Sequence, residues 1–166
     1  MSLTVTGVGK PAATAGTGYA SERYRDGRPD AWLNIGIAGH RDLATGTPVL
    51  ASTVTDSVSG QVWRPSVNFN SGLVSLPLLT VDQPQDDYPD YAMIDMEAAG
   101  FFSSASTCAS KERIHCLKII SDNVLSPSRD ISKQTVIDLV SRNINVIDIM
   151  ISHLQTHSGI QAASAT

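Results

Sequence analysis

The sequence predicts an α/β layered domain, and two observations carry that reading. From Tyr91 onward, short apolar runs alternate with helical patterns: Ala92 to Met96, Glu97 to Ser110, Ile114 to Ser121, and then a long amphipathic stretch. Strands alternating with helices describe a sheet covered by helices. The two apolar runs also finish in acids, Glu97 and Asp122, where an open α/β sheet places its ligands. At 166 residues the chain is long enough to bury a core as one domain, 1–166, with 159–166 expected as a disordered tail.

Taken in order, Thr4-Val5-Thr6 reads as a short strand entering the turn Gly7-Val8-Gly9-Lys10-Pro11. Ala12 to Arg25 has the small residues of a helix packed closely on a sheet, and Pro11 suits its first position, where the missing N–H costs nothing. Gly27-Arg28-Pro29-Asp30 is a turn signal. Ala31 to Ile37 reads as a buried strand, and Gly36-Ile37-Ala38-Gly39 as a small-residue turn that lets backbone approach a ligand.

Thr47 to Val54 is β-rich, and Ser59-Gly60 predicts a hairpin turn before Gln61-Val62-Trp63, so the sheet should be mixed. Gly72 to Leu76 is a further strand, with Pro77 expected to confine it to an edge or bend it. The acidic stretch Asp82 to Asp90 reads as a solvated connection. In the last segment Val136, Leu139, Val140, Ile144, Ile147, Met150, Ile151 and Leu154 recur at helical spacing and predict one long helix. Asp130 or Ser132 would cap it and Gly159 would end it. The apolar breadth of that helix at Ile147, Ile149, Met150 and Ile151 also suits a subunit interface, so a homo-oligomer is expected.

Composition excludes several classes. A net charge of −4 with no run of Lys or Arg argues against nucleic acid, and no apolar stretch approaches the length of a membrane span. The first residues carry no secretory signal, so a cytoplasmic location is expected. Cys108 and Cys116 lack the spacing of a metal knuckle or a disulfide framework and read as reduced thiols. His153 and His157 are four apart but have no third ligand nearby, so no metal is called for.

Glu97 and Asp122 are the candidate catalytic pair, although each has a plainer reading. An Asp after a strand often caps a turn, and a Glu in a first helical turn is favoured by the dipole alone. Met96 serves equally as core filler, and Asn123 as a turn cap. The glycines at 7 and 9 loosely fit a dinucleotide loop, but no acid ends the next strand, and a tight turn is the better reading.

Met96-Glu97-Ala98-Ala99, Ile120-Ser121-Asp122, Gly7-Val8-Gly9-Lys10 and Asn34-Ile35-Gly36-Ile37-Ala38-Gly39, in the places they hold, resemble the nucleoside phosphorylase superfamily. In pattern the chain is most similar to the methylthioadenosine/S-adenosylhomocysteine nucleosidases, from about Thr4 to Leu154. The resemblance implies a three-layer sandwich with a mixed central sheet flanked by helices. It also implies hydrolysis of the N-glycosidic bond of a purine ribonucleoside or thioribonucleoside, with no cofactor.

By the same resemblance, Glu97 would accept hydrogen bonds from the ribose hydroxyls and Met96 would pack on the sugar. Asp122, braced by Ser121, would donate to purine N7, while Ala38, Gly39 and Asn123 would line the substrate. The chain departs from the pattern in four ways. It starts almost at the glycines, so the water-activating Glu of the family is expected from a neighbouring subunit or is lost. Ile37 replaces a common Ser or Thr, which disfavours phosphorolysis; Lys118 replaces a common Arg; and no aromatic lies between Gly72 and Thr80 to stack on a base. Two alternatives stand beside the hydrolase: a catalytically silent nucleoside-binding or assembly subunit, and a purine nucleoside phosphorylase.

Overall fold

The computed structural model describes residues 1–23, 31–65, 72–128 and 131–163, the last with side chains as far as 156. Its order is α1 (Lys10–Arg23), β1 (Trp32–Gly39), β2 (Pro48–Asp56), β3 (Val62–Trp63), β4 (Val74–Thr80), β5 (Met93–Asp95), α2 (Ala98–Ala105), β6 (Ile114–Asp122), α3 (Lys133–Arg142) and α4 (Ile144–Ala163). One mixed sheet runs β3-β2-β4-β5-β1-β6, and β2 also pairs with β6, so the sheet curls closed on itself. β1 and β6 are parallel to each other, as are β2, β4 and β5, while β2 with β6 and β1 with β5 are antiparallel.

The helices make the outer layers. Phe101, Phe102 and Ala105 of α2 pack with Ala38, Val54, Cys116 and Ile120 on one face. Ile147 and Met150 of α4 pack with Leu50 and Leu117 on the other. Alternation along β6 sorts these faces, since successive side chains of a strand point to opposite sides. The three-layer mixed-sheet architecture agrees with the expectation, and the closure of β2 onto β6 adds to it.

α1 lies against α2 at close range. Thr14 Oγ1 donates to Gly100 O at 3.2 Å, and a Cβ on Gly100 would sit 2.9 Å from Lys10 Cα. Ala13, Thr17 and Ala20 form the buried stripe that this approach needs. Ala13 N donates to Gly9 O at 3.1 Å, so Lys10 opens the helix and Pro11 is its second residue, where its missing N–H is still tolerated.

Several sequence expectations are corrected. Thr4-Val5-Thr6 forms no strand. Gly36 to Gly39 is the end of β1 rather than a turn, because all four pair with β6. Pro77 lies inside β4, between β2 and β5, and is accommodated by a register shift between Ala51 and Thr53 of β2 opposite it. A bulge on the partner is the usual way for a sheet to accept a residue with no N–H. The hairpin between β2 and β3 forms as expected, with Gly60 at φ +71°.

The long C-terminal helix is two helices that meet at Asn143. Its Nδ2 donates to Leu139 O at 2.9 Å and to Gly46 O at 3.1 Å, so the side chain closes α3 and ties it to the loop before β2. Ser132 caps α3, accepting from Thr135 N at 3.1 Å in a capping box. Gly159 does not end α4, which continues to Ala163, so the expected tail is helical over 159–163. Asp130, the turn at 27–30 and residues 164–166 lie outside the described residues. Of the apolar residues read as an interface, Ile147 and Met150 are core and Ile149 is exposed.

Asn143→Ala should cost about 1–3 kcal/mol, the usual effect of removing a side chain that satisfies a buried acceptor, here Leu139 O. Urea unfolding of the two proteins measures it.

Candidate functional site

Asp122 ends β6, beside Gly39 at the end of β1. The register shifts there, from Ala38 opposite Ile120 to Gly39 opposite Asp122, and such irregularities re-aim side chains. Ser121 Oγ donates to Asp122 Oδ1 and, at 3.3 Å, is also within reach of Ala38 O. Asp122 Oδ2 accepts from Tyr88 OH at 2.7 Å. Both acid and phenol are 5% exposed. A Cβ on Gly39 would come within 2.5 Å of Tyr88 Cε1 and into the Asp122 carboxylate, so any larger residue here would push the ring and the acid aside.

Tyr88 belongs to the acidic stretch read from sequence as a solvated connection, and this is a correction. The phenol turns inward and packs with Val81 and Ile94, with Leu79 and Met96 at the edge of the cluster. Burial and the neighbouring Asp122 push its pKa above the usual tyrosine range, so the hydroxyl stays a donor.

Glu97 follows β5 at the entrance to α2. Its Oε1 accepts from Gly9 N at 2.8 Å, and Met96 N lies 3.4 Å from Oε2. Gly7 and Gly9 have φ of +91° and +90°, values that favour glycine, and their turn aims the Gly9 amide at the carboxylate. The glycine element therefore holds an acid rather than a phosphate. Because β5 runs antiparallel to β1, with Gly39 opposite Ile94, the two acids leave strands of opposite direction. They do not share the carboxyl edge of a parallel sheet.

Below Glu97 lies a buried polar network that the sequence reading missed. Lys118, 1% exposed, places Nζ 2.8 Å from Asp95 Oδ2. Asp95 also accepts from Ala98 N at 2.8 Å and from Thr80 Oγ1 at 2.7 Å, and Thr80 Oγ1 accepts from Ala99 N at 3.0 Å. Burial opposes the Lys118 charge, but Asp95 outweighs it and holds the ammonium pKa above its usual value. Burial pushes the adjacent Cys116 thiol up to about 12, so it is an uncharged core group. A lone Lys in the apolar run Ile114 to Ile120 was the available signal, since a buried charge requires a partner.

Lys10 bridges Asp56 and Asp82, each at 2.7 Å, tying α1 to the end of β2 and to the start of the Tyr88 loop. His40 follows Gly39, and its backbone N donates to Asp122 O at 3.0 Å. Its Nδ1 accepts from Asp42 N at 3.1 Å and from Leu43 N at 3.2 Å, and burial lowers its pKa against the opposing charge of Asp42. Asn123 is engaged with backbone: Oδ1 accepts from Leu125 N and Ser126 N, and Nδ2 donates to Leu43 O. This is the turn-capping reading of Asn123. Among the described residues no group of three or more His, Cys, Asp or Glu is placed to hold a metal ion.

The chain matches no protein-family model and no curated protein. It is similar to solved methylthioadenosine/S-adenosylhomocysteine nucleosidases. That of Colwellia psychrerythraea, in complex with adenine, aligns at TM-score 0.58 and 21% identity over 71% of this chain and 63% of its own. That of Chlamydia trachomatis aligns at 0.57 and 17% over 75% and 65%. That of Neisseria meningitidis, in complex with methylthio-immucillin-A, aligns at 0.63 and 16% over 84% and 74%. The fold is that of these solved nucleosidases. The chain spans less than two thirds of the length of the Colwellia and Chlamydia nucleosidases, and at these identities the likeness is one of nucleosidase fold. No helix among the described residues is long and apolar enough to cross a membrane.

Lys118→Met should destabilise the protein by about 3–5 kcal/mol by leaving Asp95 buried without its cation, and adding Asp95→Asn should recover part of the loss. Denaturant midpoints of the single and double variants measure both effects. For His40 the folded pKa lies below the unfolded value of about 6.5, so the unfolded chain takes the proton first as pH falls. Its contribution is complete above that value and is lost as pH drops through the folded pKa, when the Nδ1 acceptor disappears. Thermal unfolding between pH 7.5 and 5 should therefore depend less on pH in His40→Asn than in the parent.

Proposed function

We propose that this protein hydrolyses the N-glycosidic bond of a purine ribonucleoside or thioribonucleoside, with Glu97 on the ribose and Asp122 on the base. The observation that carries the proposal is a buried carboxylate at the end of β6, clamped by Ser121, in a fold shared with nucleosidases solved with adenine and with methylthio-immucillin-A. In such a reaction the C1′–N9 bond breaks and its electrons flow into the base, which takes up one proton, while water oxygen bonds to C1′ and gives up one proton. The base leaves more readily if N7 receives a proton or a strong hydrogen bond, and the cationic sugar is eased by a carboxylate near its hydroxyls.

Three contacts support giving the carboxylates these parts. Asp122 lies beside Gly39, whose missing Cβ lets the carboxylate and the flat Tyr88 ring come close to the backbone. Met96 precedes Glu97, and both follow the strand that pairs with Gly39. Ser121 Oγ joins Asp122 to Ala38 O, and Asn123 caps the turn that follows.

Nucleoside binding without turnover is the second reading. It is favoured by Ile37, which brings no hydroxyl, and by the Tyr88 phenol on Asp122. One assay separates the readings. Purified protein is incubated with methylthioadenosine, S-adenosylhomocysteine, adenosine or inosine, with and without phosphate, and free base is measured. Base release without phosphate is expected; release only with phosphate identifies a phosphorylase, and binding without release the silent subunit. Glu97→Gln and Asp122→Asn should each lower turnover by about a hundredfold or more, as for groups that act in the transition state. Unchanged rates in both would remove the assignment.

A further inference from the structure

We infer that Tyr88 is an internal stand-in for the leaving base: its ring fills the flat slot beside Gly39, its hydroxyl takes the hydrogen bond on Asp122 Oδ2, and ligand binds by displacing it. This inference rests on the nucleosidase reading and names what its base site must do first.

Three observations support it. Tyr88 is a planar ring with a donor at its edge, seated against a residue where a Cβ would come within 2.5 Å of Cε1. The place beside Gly39 is thus one that an aromatic plane already fills. Second, the phenol donates to Oδ2 at 2.7 Å while Ser121 Oγ occupies Oδ1, so both oxygens of the acid already accept from the protein. A base whose ring nitrogen is to share a proton with this carboxylate needs Oδ2, the oxygen that Tyr88 holds. With the acid 5% exposed, base and phenol compete for one place.

Third, Tyr88 is carried by a strap whose ties lie at the surface. Asp82 pairs with Lys10, Asp86 Oδ1 accepts from Ser128 N at 3.1 Å and Ser128 Oγ at 2.8 Å, and Asp90 pairs with Arg41. Solvent-exposed ties of this kind hold weakly, so lifting the strap withdraws Tyr88 from its small cluster with Val81 and Ile94 and leaves the two larger core clusters in place. Its ends are firmer: Val81 N donates to Asp95 O at 2.8 Å, and Ala92 and Met93 are buried. The segment between them can move as a unit about two fixed ends.

The chemical consequence concerns ligand class. A group that replaces the phenol must be flat and aromatic and must share a proton with the carboxylate: the departed base does so by donating its protonated N7, as the phenol donates its hydroxyl. Purine bases meet both demands, whereas a sugar ring can offer a hydroxyl but is neither flat nor aromatic. The Tyr88 hydroxyl sets a threshold that a ligand must exceed, which makes it a determinant of affinity and selectivity.

The test is adenine binding by calorimetry to the parent chain, Tyr88→Phe and Tyr88→Ala. Phe keeps the ring but removes the donor, and adenine should bind about tenfold more tightly, the usual effect of removing one hydrogen bond to a charged group. Ala empties the slot and should bind more tightly still, with thermal unfolding reporting that each variant is folded. Amide hydrogen exchange over 82–91 should rise when adenine binds to the parent. Adenine binding that is equal or weaker in folded Tyr88→Phe, or protection of 82–91 on binding, overturns the stand-in and leaves the nucleosidase reading intact. Adenine binding by none of the three overturns the stand-in, and no base release from any of the nucleosides above overturns the nucleosidase reading.

Discussion

The ion pair between Lys118 and Asp95 is the constraint on which the rest of the site depends. It joins β6 to β5 at the level where both strands approach their acids. Asp95 then spends its remaining capacity on Ala98 N and Thr80 Oγ1, which starts α2 and fixes the Met96–Glu97 corner. The pair also limits the neighbouring strand, since a Cβ on Gly36 would sit 3.0 Å from Lys118 Nζ. Two buried charges survive in this core because each hydrogen bond is returned by a partner on another element.

Above that network the candidate acids are handled differently. Glu97 accepts a backbone N–H from a glycine turn, an interaction that aligns it without neutralising it. Asp122 accepts two side-chain hydroxyls, one of them from a loop tied down by exposed pairs. A carboxylate satisfied by the protein is stable when buried, and the same bonds stand in the way of any ligand that would use it. The structure thus couples access to Asp122 with the position of a short acidic segment, and ties that segment to α1 through Lys10 and to the β1 end through Arg41.

Much of this was legible in the chain. The strands around Met93–Asp95 and Ile114–Asp122, the helix after Glu97 and the Ser132 cap follow from alternation, helical spacing and capping chemistry, which are local properties. Ser121 bracing Asp122 was implied by the family resemblance and is present as a hydrogen bond. The failures share a different cause. Pro77 was read against the rule for edge strands, but a bulge in β2 absorbs it; the apolar period from Val136 to Leu154 continues smoothly through Asn143, whose break depends on Gly46, far away in sequence.

Local residue pattern was therefore enough to determine an α/β sandwich and to single out Glu97 and Asp122, because strand period, helix period and the acids at segment ends are all encoded within a few residues. Tertiary structure alone decided what those acids touch. The Tyr88 bond to Asp122 closes 34 residues of chain, and the Gly9 bond to Glu97 closes 88. Neither partner carries a distinguishing pattern of its own: a tyrosine in an acidic loop reads as surface, and a glycine amide does not read at all. Contacts of that kind are set by the sheet's closure and strand direction, which are properties of the whole chain.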